Sequence, residues 1–405
     1  MDQSASARVN HIFVTQDYPP IGGGMSRRHV ELCRRFGDGQ STTMEVSTVA
    51  ADDGGLFDAG ESYPIHRQPF SFDKANRFAN QLRWGAWLSR RGRRQVDVIH
   101  CGNIRPVGYA VMLAHWRLGV PYLLYVYGGD LLREKKKAAA SAFRRAGTRR
   151  IMGGAAGIVA ISAWSAELAR DVMTSAGIER VPPIGTFDLG TDPDAFNRSR
   201  DTGALRARWG VGRAPLLLTV ARLVPHKGQD ETIRALAALA GEFPDLRYVM
   251  VGEGHDAERL RKLAGELGVA DRVIFAGLLS EEELPEAYAT STLYLGLSRV
   301  DREINAEGFG ISFVEAGASG VPSVAGDSGG VRSAVRDGET GIVVPPADGA
   351  AIVAAIASLL RDDTRRSAMG RAARLVVETH YNWDRVARDT REFTNAVVEK
   401  GALAR

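Results

Sequence analysis

The sequence predicts an α/β protein in which two parallel sheets are each covered by helices on both faces. Short apolar runs typical of buried strands alternate with helical stretches along nearly the whole chain. A segment rich in proline, glycine and charged residues, from Pro182 to about Ala214, separates two such series. The 405 residues suffice for two or three domains. We therefore predict domains over 1–190 and 191–380, a ligand-binding cleft between them, and a C-terminal helix, 381–405, that packs back on the first.

The first domain is predicted to alternate strands and helices from its start. An apolar run, residues 9–15, forms the first strand, and residues 50–64 form a loop. The further predicted strands are 44–49, 96–100, 122–126 and 157–161, and the predicted helices are 25–36, 78–94, 109–117, 131–150 and 163–175.

The second domain repeats this alternation. Its predicted strands are 216–221, 247–251, 273–275, 293–297, 323–325 and 342–344. Its predicted helices are 229–241, 257–267, 281–290, 350–360 and 364–380, together with one that begins after the glycines at 308 and 310.

Composition is that of an ordinary globular protein, with 44% hydrophobic and 25% charged residues. The two cysteines, Cys33 and Cys101, predict no disulfide framework and fit a reducing compartment. The polar first residues do not resemble a signal peptide, and no apolar run reaches about 18 residues. We therefore expect a cytoplasmic protein.

Positive charge is concentrated in the first half. Residues 1–190 contain 25 lysines and arginines against 17 acidic residues, whereas the chain as a whole has a net charge of +4. The stretch 133–150 carries most of this excess and only one acid, Glu134. It is either a solvated helix face or a surface that binds anionic lipid or a phosphorylated acceptor. It lacks the interleaved aromatic residues that stack nucleic-acid bases, so we expect no nucleic-acid partner.

Two glutamates, Glu307 and Glu315, stand eight positions apart in the stretch EGFGISFVE. Glycines between them precede a predicted helix, whose first N–H groups and partial positive charge favour a phosphate. Carboxylates accept hydrogen bonds from sugar hydroxyls, so the two acids can both reach one ligand of that kind. The alternative is an ordinary loop–helix junction with two solvated glutamates.

Arg222 and Lys227 lie just beyond the predicted strand 216–221. A guanidinium and an ammonium group at that edge suit a diphosphate and stabilise it as it leaves. Two unrelated surface cations are the alternative, but together with Glu307 and Glu315 they predict one site for phosphate and hydroxyl groups. No clustered histidine, cysteine and aspartate residues suggest a metal, so we predict none.

Two features in the first domain also suggest ligand binding. Gly22, Gly23 and Gly24 lie between a strand and a helix, which suits a phosphate or sugar but is equally consistent with a turn needed for packing. The loop is not GxGxxG, so a dinucleotide cofactor is not indicated. The strand 122–126 ends in Tyr127-Gly128-Gly129-Asp130, and open α/β sheets bind ligands at that edge.

The sequence resembles the family 4 glycosyltransferases, which are retaining enzymes with two Rossmann-like domains facing a central cleft, the GT-B fold. The resemblance covers nearly the whole chain. Its most specific part is the pair Glu307 and Glu315 within EGFGISFVEA. The other matching stretches are YPPIGGGMSRRHVEL, the GGD at Gly128–Asp130, ARLVPHKG, VGEG, FAGLLSEEEL and SGVPSVAGDSGG.

The resemblance implies a role for each residue of the glutamate motif. Glu307 would contact hydroxyls of the donor sugar near the reacting carbon, helped by the backbone amides around Phe309 and Gly310. Glu315 would hold the ribose.

It also implies how the rest of the donor is bound. Arg222 and Lys227 would bind the diphosphate, Gly23 and Gly24 would approach it from the first domain, and the backbone around Leu278 would border the base. Transfer would occur on the front face with retention. The leaving phosphate would help take the acceptor's proton, so neither a metal nor another cofactor would be needed.

On the acceptor side we expect Asp130 and Asn103, beside Tyr127 as a catalytic residue. Many relatives have histidine where this chain has Tyr127, and tyrosine can donate a hydrogen bond but cannot act as a base near neutral pH. Relatives usually carry a glutamate soon after the glycines 329 and 330, where this chain has Arg332. The stretch 298–305 faintly resembles relatives that use GDP-mannose.

We therefore expect a hexosyltransferase that moves a sugar from a UDP- or GDP-sugar to a lipid-linked or saccharide acceptor in cell-surface glycan synthesis. The first domain would bind the acceptor and the second the nucleotide sugar. The enzyme would be cytoplasmic, peripheral on the inner face of the membrane through residues 133–150. The alternatives are a sugar-nucleotide epimerase of similar architecture and a catalytically silent protein that binds sugar nucleotides.

Overall fold

A computed structural model describes residues 8–37, 41–70, 72, 76–92, 95–301 and 305–403. Several predicted positions lie outside these ranges. They are the last two residues of the predicted helix 78–94, residues 302–304 of the stretch 298–305, and residues 404–405 of the C-terminal helix.

The chain divides into two compact units. The first unit comprises Met1–Phe187 and Trp383–Arg405, and the second comprises Asp188–Asn382. Each unit contains its own parallel sheet with helices packed on it.

The first unit contains a seven-stranded parallel sheet in the order β3-β2-β1-β4-β5-β6-β7. The central strands are buried along most of their length, as expected for a sheet covered on both faces. The strands are β1 (Val9–Val14), β2 (Thr42–Val49), β3 (Ile65–Gln68), β4 (Val98–Cys101), β5 (Tyr122–Val126), β6 (Gly157–Ala160) and β7 (Ile184–Thr186).

Eight helices accompany this sheet in the described part of the first unit. They are α1 (Gly24–Phe36), α2 (Gly54–Ala59), α3 (Arg77–Arg91), α4 (Val107–Leu118), α5 (Gly129–Ala140), α6 (Ala142–Gly153), α7 (Ala163–Ser175) and the C-terminal α15 (Trp383–Leu403).

The C-terminal helix α15 packs on the first unit. Trp383 is almost fully buried at its start, and the ring of Phe393 lies 5.5 Å from that of Phe187. Arg391 donates a hydrogen bond to the backbone oxygen of Phe36 at the end of α1. The end of the chain therefore helps to cover the first sheet.

The second unit contains a six-stranded parallel sheet in the order β10-β9-β8-β11-β12-β13. All its strand pairs are parallel, so the carboxyl ends of the strands lie at one edge. The strands are β8 (Leu216–Val220), β9 (Arg247–Val251), β10 (Val273–Gly277), β11 (Leu293–Gly296), β12 (Ser323–Gly326) and β13 (Gly341–Val344).

The helices of the second unit lie between and after these strands. They are α8 (Ala204–Trp209), α9 (Gln229–Leu239), α10 (Ala257–Glu266), α11 (Leu284–Ala289), α12 (Ile311–Ala318), α13 (Gly349–Arg361) and α14 (Asp363–Thr379). None of the helices in the described ranges of the chain is long and apolar enough to cross a membrane.

The prediction of one helix over 131–150 is wrong. The stretch forms α5 and α6, which are separated at Ser141. Ser141 has an extended backbone with φ of −153°, and its side chain accepts a hydrogen bond from the backbone N–H of Arg144. Serine favours such an N-terminal capping position, so a second helix begins where the alanine-rich sequence suggested continuity.

The prediction of a loop over 50–64 is also wrong in part, because α2 lies within it. Three further elements were not predicted, namely the strands β3 and β7 and the helix α8. Each has only three to six residues, too few for a clear periodic pattern.

Candidate active site

The loop after β8 places Lys227 at the carboxyl edge of the second sheet. Pro225–Lys227 forms a single 3₁₀ turn, and the backbone N–H of Lys227 donates to the oxygen of Val224. Gly228 follows with φ of +74°, and a Cβ at this position would lie 2.0 Å from the backbone oxygen of Leu297. Only glycine fits this close approach, which fixes the loop against the end of β11.

Lys227 and Glu307 form an ion pair in the second unit. The Nζ of Lys227 lies 2.6 Å from Oε2 of Glu307, and both side chains are largely buried. The hydroxyl of Ser298 donates to the same carboxylate oxygen at 3.2 Å. Burial by itself would raise the pKa of Glu307, but the charge and hydrogen bond of Lys227, aided by Ser298, hold that pKa below its ordinary value. Glu307 is therefore an ionised carboxylate at neutral pH.

The segment after β12 holds the backbone of Glu307. The N–H of Gly330 donates to the backbone oxygen of Glu307 at 2.8 Å. A Cβ at Gly329, which has φ of +58°, would lie 2.2 Å from that oxygen. Arg332, which stands where relatives were expected to have glutamate, extends to the surface and pairs with Asp327.

Gly310 is the N-cap of the helix that carries Glu315. It has φ of +95° and precedes Ile311, the first residue of α12. Glu315 is buried, and the hydroxyl of Tyr288 donates to its Oε2 at 2.7 Å. Burial, above all, raises the pKa of Tyr294, and the charges of both Glu307 and Glu315 add to the rise. The two motif glutamates therefore lie near one tyrosine.

Phe309, predicted for its backbone amide, has a buried side chain whose ring lies 5.9 Å from that of Tyr381. This packing anchors the loop between the two glutamates from its inner side.

Arg222 and Leu278 are the exposed members of the predicted donor set. Arg222 is exposed on the loop that follows β8. Its charge and that of Lys227 both lower the pKa of the intervening His226, after the larger effect of burial. Leu278 follows β10 and is 71% exposed. Cations and an apolar side chain are thus displayed on loops that follow strands of one sheet.

In the first unit, the glycine loop leads directly into α1. Gly23 has φ of +126° and precedes Gly24, the first residue of the helix. A Cβ added at Gly22 or Gly23 would meet no atom within 4 Å, so the space beside the loop is open. The first N–H groups of a 13-residue helix thus adjoin open space, as a phosphate site requires.

Asp130 and Asn103, predicted for the acceptor side, both support the backbone. Oδ1 of Asp130 accepts from the N–H groups of Tyr127 and Leu131, which closes the turn after β5. Burial raises the pKa of this aspartate. Asn103 is buried and donates from Nδ2 to Oδ2 of Asp17 at 3.1 Å.

Tyr127 is buried, and its hydroxyl is hydrogen-bonded to Nε2 of His29 on α1. The guanidinium carbon of Arg28 lies 5.6 Å from the centre of the Tyr127 ring. Sequence reasoning missed His29 and Asp17. Both lie within or directly before the glycine-rich motif YPPIGGGMSRRHVEL, which was the available signal.

The basic stretch keeps its positive charge at the surface. Its only acid, Glu134, is buried and pairs with Arg105 of another segment. Arg145 and Arg149 line an open depression of about 310 Å³ between α6 and the end of α7. Phe143, beside them, is 78% exposed. An exposed aromatic ring amid unneutralised cations is typical of a surface that binds an anionic interface.

Among the residues that the structure describes, no three histidine, cysteine or acidic side chains are grouped as metal ligands.

Comparison with known proteins identifies a family for each part of the chain. Residues 202–376 match the family of "Glycosyl transferases group 1", and residues 23–183 match a "Glycosyl transferase 4-like domain".

Two mycobacterial enzymes are similar to the chain. Both are named GDP-mannose-dependent alpha-(1-6)-phosphatidylinositol monomannoside mannosyltransferases. The Mycolicibacterium smegmatis enzyme is 41% identical over 211 residues, which is 52% of this chain and about half, 54%, of the relative. A Mycobacterium tuberculosis enzyme is 30% identical over 393 residues, or 94% of this chain and 97% of the relative.

Solved structures share the fold. HepE from Anabaena, crystallised with UDP and glucose, superimposes with a TM-score of 0.77 at 20% identity, covering 96% of this chain and all of HepE. Sucrose-phosphate synthase from Thermosynechococcus elongatus gives a TM-score of 0.78 at 19% identity, covering 97% and 100% of the two chains.

Fold and family comparisons together define a glycosyltransferase of the GT-B class, which confirms the predicted fold class. The chain belongs to the group 1 glycosyl transferases, with the 4-like domain at its amino-terminal side. It is a hexosyltransferase that takes its sugar from a nucleotide sugar. The epimerase alternative is thereby set aside.

Proposed function

We propose that this enzyme is a retaining mannosyltransferase that transfers mannose from GDP-mannose to a lipid acceptor containing an inositol phosphate. The observation that carries the proposal is the similarity, over 94% of the chain, to a phosphatidylinositol monomannoside mannosyltransferase. An Acidothermus cellulolyticus relative, 33% identical over 71% of this chain, is named a D-inositol 3-phosphate glycosyltransferase. The two names share an inositol phosphate acceptor.

The second unit supplies the donor site in this proposal. Arg222 and Lys227 bind the diphosphate, since both cations lie on the loop that follows β8. Glu315, held by Tyr288, accepts hydrogen bonds from the ribose. The backbone around Leu278 borders the guanine base.

Glu307 is assigned to the sugar. Its carboxylate is ionised and fixed by Lys227 and Ser298, so it accepts hydrogen bonds from sugar hydroxyls without reorganising. The backbone N–H groups around Phe309 and Gly310 assist it. The ammonium group of Lys227 contacts Glu307 and, in this proposal, also the departing diphosphate. One cation therefore both fixes the carboxylate that binds the sugar and stabilises the negative charge of the leaving group.

The first unit supplies the acceptor side and further donor contacts. We assign Gly23 and Gly24 to the donor phosphate, through the N-terminus of α1. Tyr127, Asp130 and Asn103 are assigned to the acceptor side, the last two by holding the loops after β4 and β5. The leaving phosphate accepts the proton of the attacking hydroxyl, which gives transfer with retention.

A panel of UDP-, GDP-, ADP- and dTDP-sugars tests the donor. We expect thermal stabilisation and slow sugar release with GDP-mannose, and transfer to phosphatidylinositol monomannoside. Glu307→Ala should abolish transfer and leave GDP binding intact, and Lys227→Ala should weaken both GDP and GDP-mannose. Release of a different nucleotide would reject GDP-mannose as the donor, while stabilisation by GDP-mannose without transfer to any inositol lipid would reject the proposed acceptor. An inverted anomeric product, seen by NMR, would contradict retention.

The membrane assignment rests on α5 and α6. We propose that their basic surface and exposed Phe143 bind anionic lipid at the inner face of the membrane. Each basic residue near such a surface contributes about 1 kcal/mol, so Lys136→Glu/Arg145→Glu should weaken binding to phosphatidylserine vesicles by at least roughly 30-fold at low salt. Lys262→Glu/Arg365→Glu, at exposed sites in the second unit, provides the matched control. Equal co-sedimentation of both variants would reduce the basic stretch to a solvated helix face.

A further inference from the structure

The hydrogen bond between Tyr127 and His29 has a direction that the second ring nitrogen determines. Nδ1 of His29 lies 2.7 Å from the backbone oxygen of Asp17. A carbonyl oxygen only accepts hydrogen bonds, so Nδ1 carries the imidazole proton. The lone pair of the neutral ring is then on Nε2, the atom that faces the Tyr127 hydroxyl.

His29 is neutral in the folded protein. Its side chain is fully buried, and burial, with the nearby charge of Arg28, lowers the pKa to about 3 in spite of the hydrogen bond to Asp17. An uncharged imidazole with its proton on Nδ1 accepts at Nε2. The phenol of Tyr127 must therefore be the donor in this pair.

The hydroxyl proton of Tyr127 is thus engaged in the hydrogen bond to His29 and is not available to a ligand. Its oxygen keeps lone-pair capacity, and within the described residues no second partner contacts it. Arg28 strengthens this polarity, because its guanidinium lies 5.6 Å from the ring centre and makes no hydrogen bond in the described part of the chain. A cation over the ring withdraws electron density and favours donation by the O–H group.

We propose that His29 is a positioning residue that makes Tyr127 an obligate hydrogen-bond acceptor for a hydroxyl group of the substrate. The inference rests on the proposed placement of Tyr127 in the active site. Tyr127 directly follows the carboxyl end of β5 and remains 7% exposed, so it lies at the edge where open α/β sheets bind their ligands.

No proton is transferred between Tyr127 and His29 in this role. Burial raises the pKa of the phenol well above its ordinary range, and the imidazole is too weak a base to take the proton. Tyr127 therefore orients a hydroxyl and selects for it, since a substituent that cannot donate a hydrogen bond leaves the phenol oxygen without a partner.

Replacing substrate hydroxyls by fluorine tests this polarity, because a carbon-bound fluorine accepts weakly and cannot donate. One series replaces each sugar hydroxyl of the nucleotide sugar, in turn, by hydrogen or by fluorine. A second series does the same on the polyol of the acceptor. The donor series is built on whichever nucleotide sugar the panel identifies, so a wrong assignment of mannose would leave this test intact.

The wild type and Tyr127→Phe are compared first, by dissociation constants and by kcat and KM. At the substrate hydroxyl that donates to Tyr127, replacement by hydrogen and replacement by fluorine should weaken binding to the wild type equally. Each should lower the affinity by roughly 2- to 13-fold relative to the natural substrate, which corresponds to one hydrogen bond. Tyr127→Phe keeps the ring and should lose this discrimination. Comparing the two proteins cancels the electronic effect of fluorine on the reaction.

His29→Leu provides the second variant, because it releases the phenol proton. In that protein fluorine should be tolerated better than hydrogen at the same position, since Tyr127 can now donate. Wild-type preference for fluorine over hydrogen would overturn the proposal, as would identical profiles for wild type and Tyr127→Phe in both series. Failure of the wild type to transfer mannose to an inositol lipid would instead reject the proposed function.

Discussion

Lys227→Met tests the ion pair at the centre of the proposed donor site. Methionine keeps much of the apolar stem of lysine but removes the ammonium group that lies 2.6 Å from the Glu307 carboxylate. The Ser298 hydroxyl would remain as a hydrogen-bond donor to that carboxylate. The variant therefore isolates the contribution of the charge.

The expected loss of stability follows from the burial of the pair. Side-chain exposure is 20% for Lys227 and 17% for Glu307. Removing one member of a fully buried pair costs about 3–5 kcal/mol, and the remaining exposure reduces this to about 1–3 kcal/mol. One kcal/mol corresponds to roughly 2–4 °C in Tm for a unit of this size, so we expect a decrease of roughly 2–12 °C.

The loss should depend on pH in a defined direction. In the wild type the pKa of Glu307 lies below its ordinary value of 4.5, so its stabilising effect is complete above pH 4.5 and is lost as pH falls through the lower folded value. In Lys227→Met burial is no longer opposed by the ammonium charge, and the pKa should rise. The variant's deficit should then be largest near neutral pH and shrink under acidic conditions.

Scanning calorimetry of the full-length protein across this pH range provides the measurement. Lys227→Met/Glu307→Gln, which removes both charges, should recover much of the stability lost in the single variant. Lys262→Met is the matched control, because Lys262 is 78% exposed and its pairing with Glu266 is worth little. Equal Tm values for wild type and Lys227→Met at every pH would refute the reasoning.

Three further outcomes are expected. Tyr288→Phe removes the buried hydrogen-bond donor to the Glu315 carboxylate. It should lower the free energy of unfolding, measured with denaturant, by about 1.5–3 kcal/mol and should raise the Kd for GDP. An unchanged Kd would argue against a role of Glu315 in binding the ribose. Gly228→Ala should lower Tm and expression because its Cβ would overlap a backbone oxygen, whereas Gly241→Ala, where nothing lies within 4 Å, should behave like the wild type. His29 has a folded pKa of about 3, below its ordinary value of 6.5, so the unfolded chain takes up a proton that the folded protein does not. The free energy of unfolding should therefore fall by up to about 1.4 kcal/mol per pH unit as the pH is lowered from 6.5 towards 3. An equally steep pH dependence in His29→Leu would contradict this.

Regular elements were predictable where their pattern was long or their boundaries were marked by side-chain chemistry. The bounds of β5, α7 and β9 coincide with the predicted ones, because a buried apolar run or a serine cap defines each of them. The short β3 has only four residues and no comparable signal. The break at Ser141 depends on a capping hydrogen bond that competes with an otherwise continuous helical pattern.

The glutamates and cations of the proposed site could be selected as candidates from the sequence because they lie in compact local motifs. Their partners could not, because tertiary packing brings those together. Lys227 and Glu307 are 80 positions apart, and His29 and Tyr127 are 98 positions apart. The sequence therefore indicated candidate residues for the proposed site, while the structure adds Ser298, whose hydroxyl donates to the Glu307 carboxylate.

The close approaches at Gly228 and Gly329 limit how this enzyme can acquire new substrates. Each glycine lies where a side chain would overlap a backbone oxygen, that of Leu297 in one case and that of Glu307 in the other. Mutations at either position would displace the Lys227–Glu307 pair before they altered selectivity. A directed-evolution library for the proposed donor site should therefore keep both glycines constant and vary exposed positions such as Leu278, where a substitution leaves the pair in place.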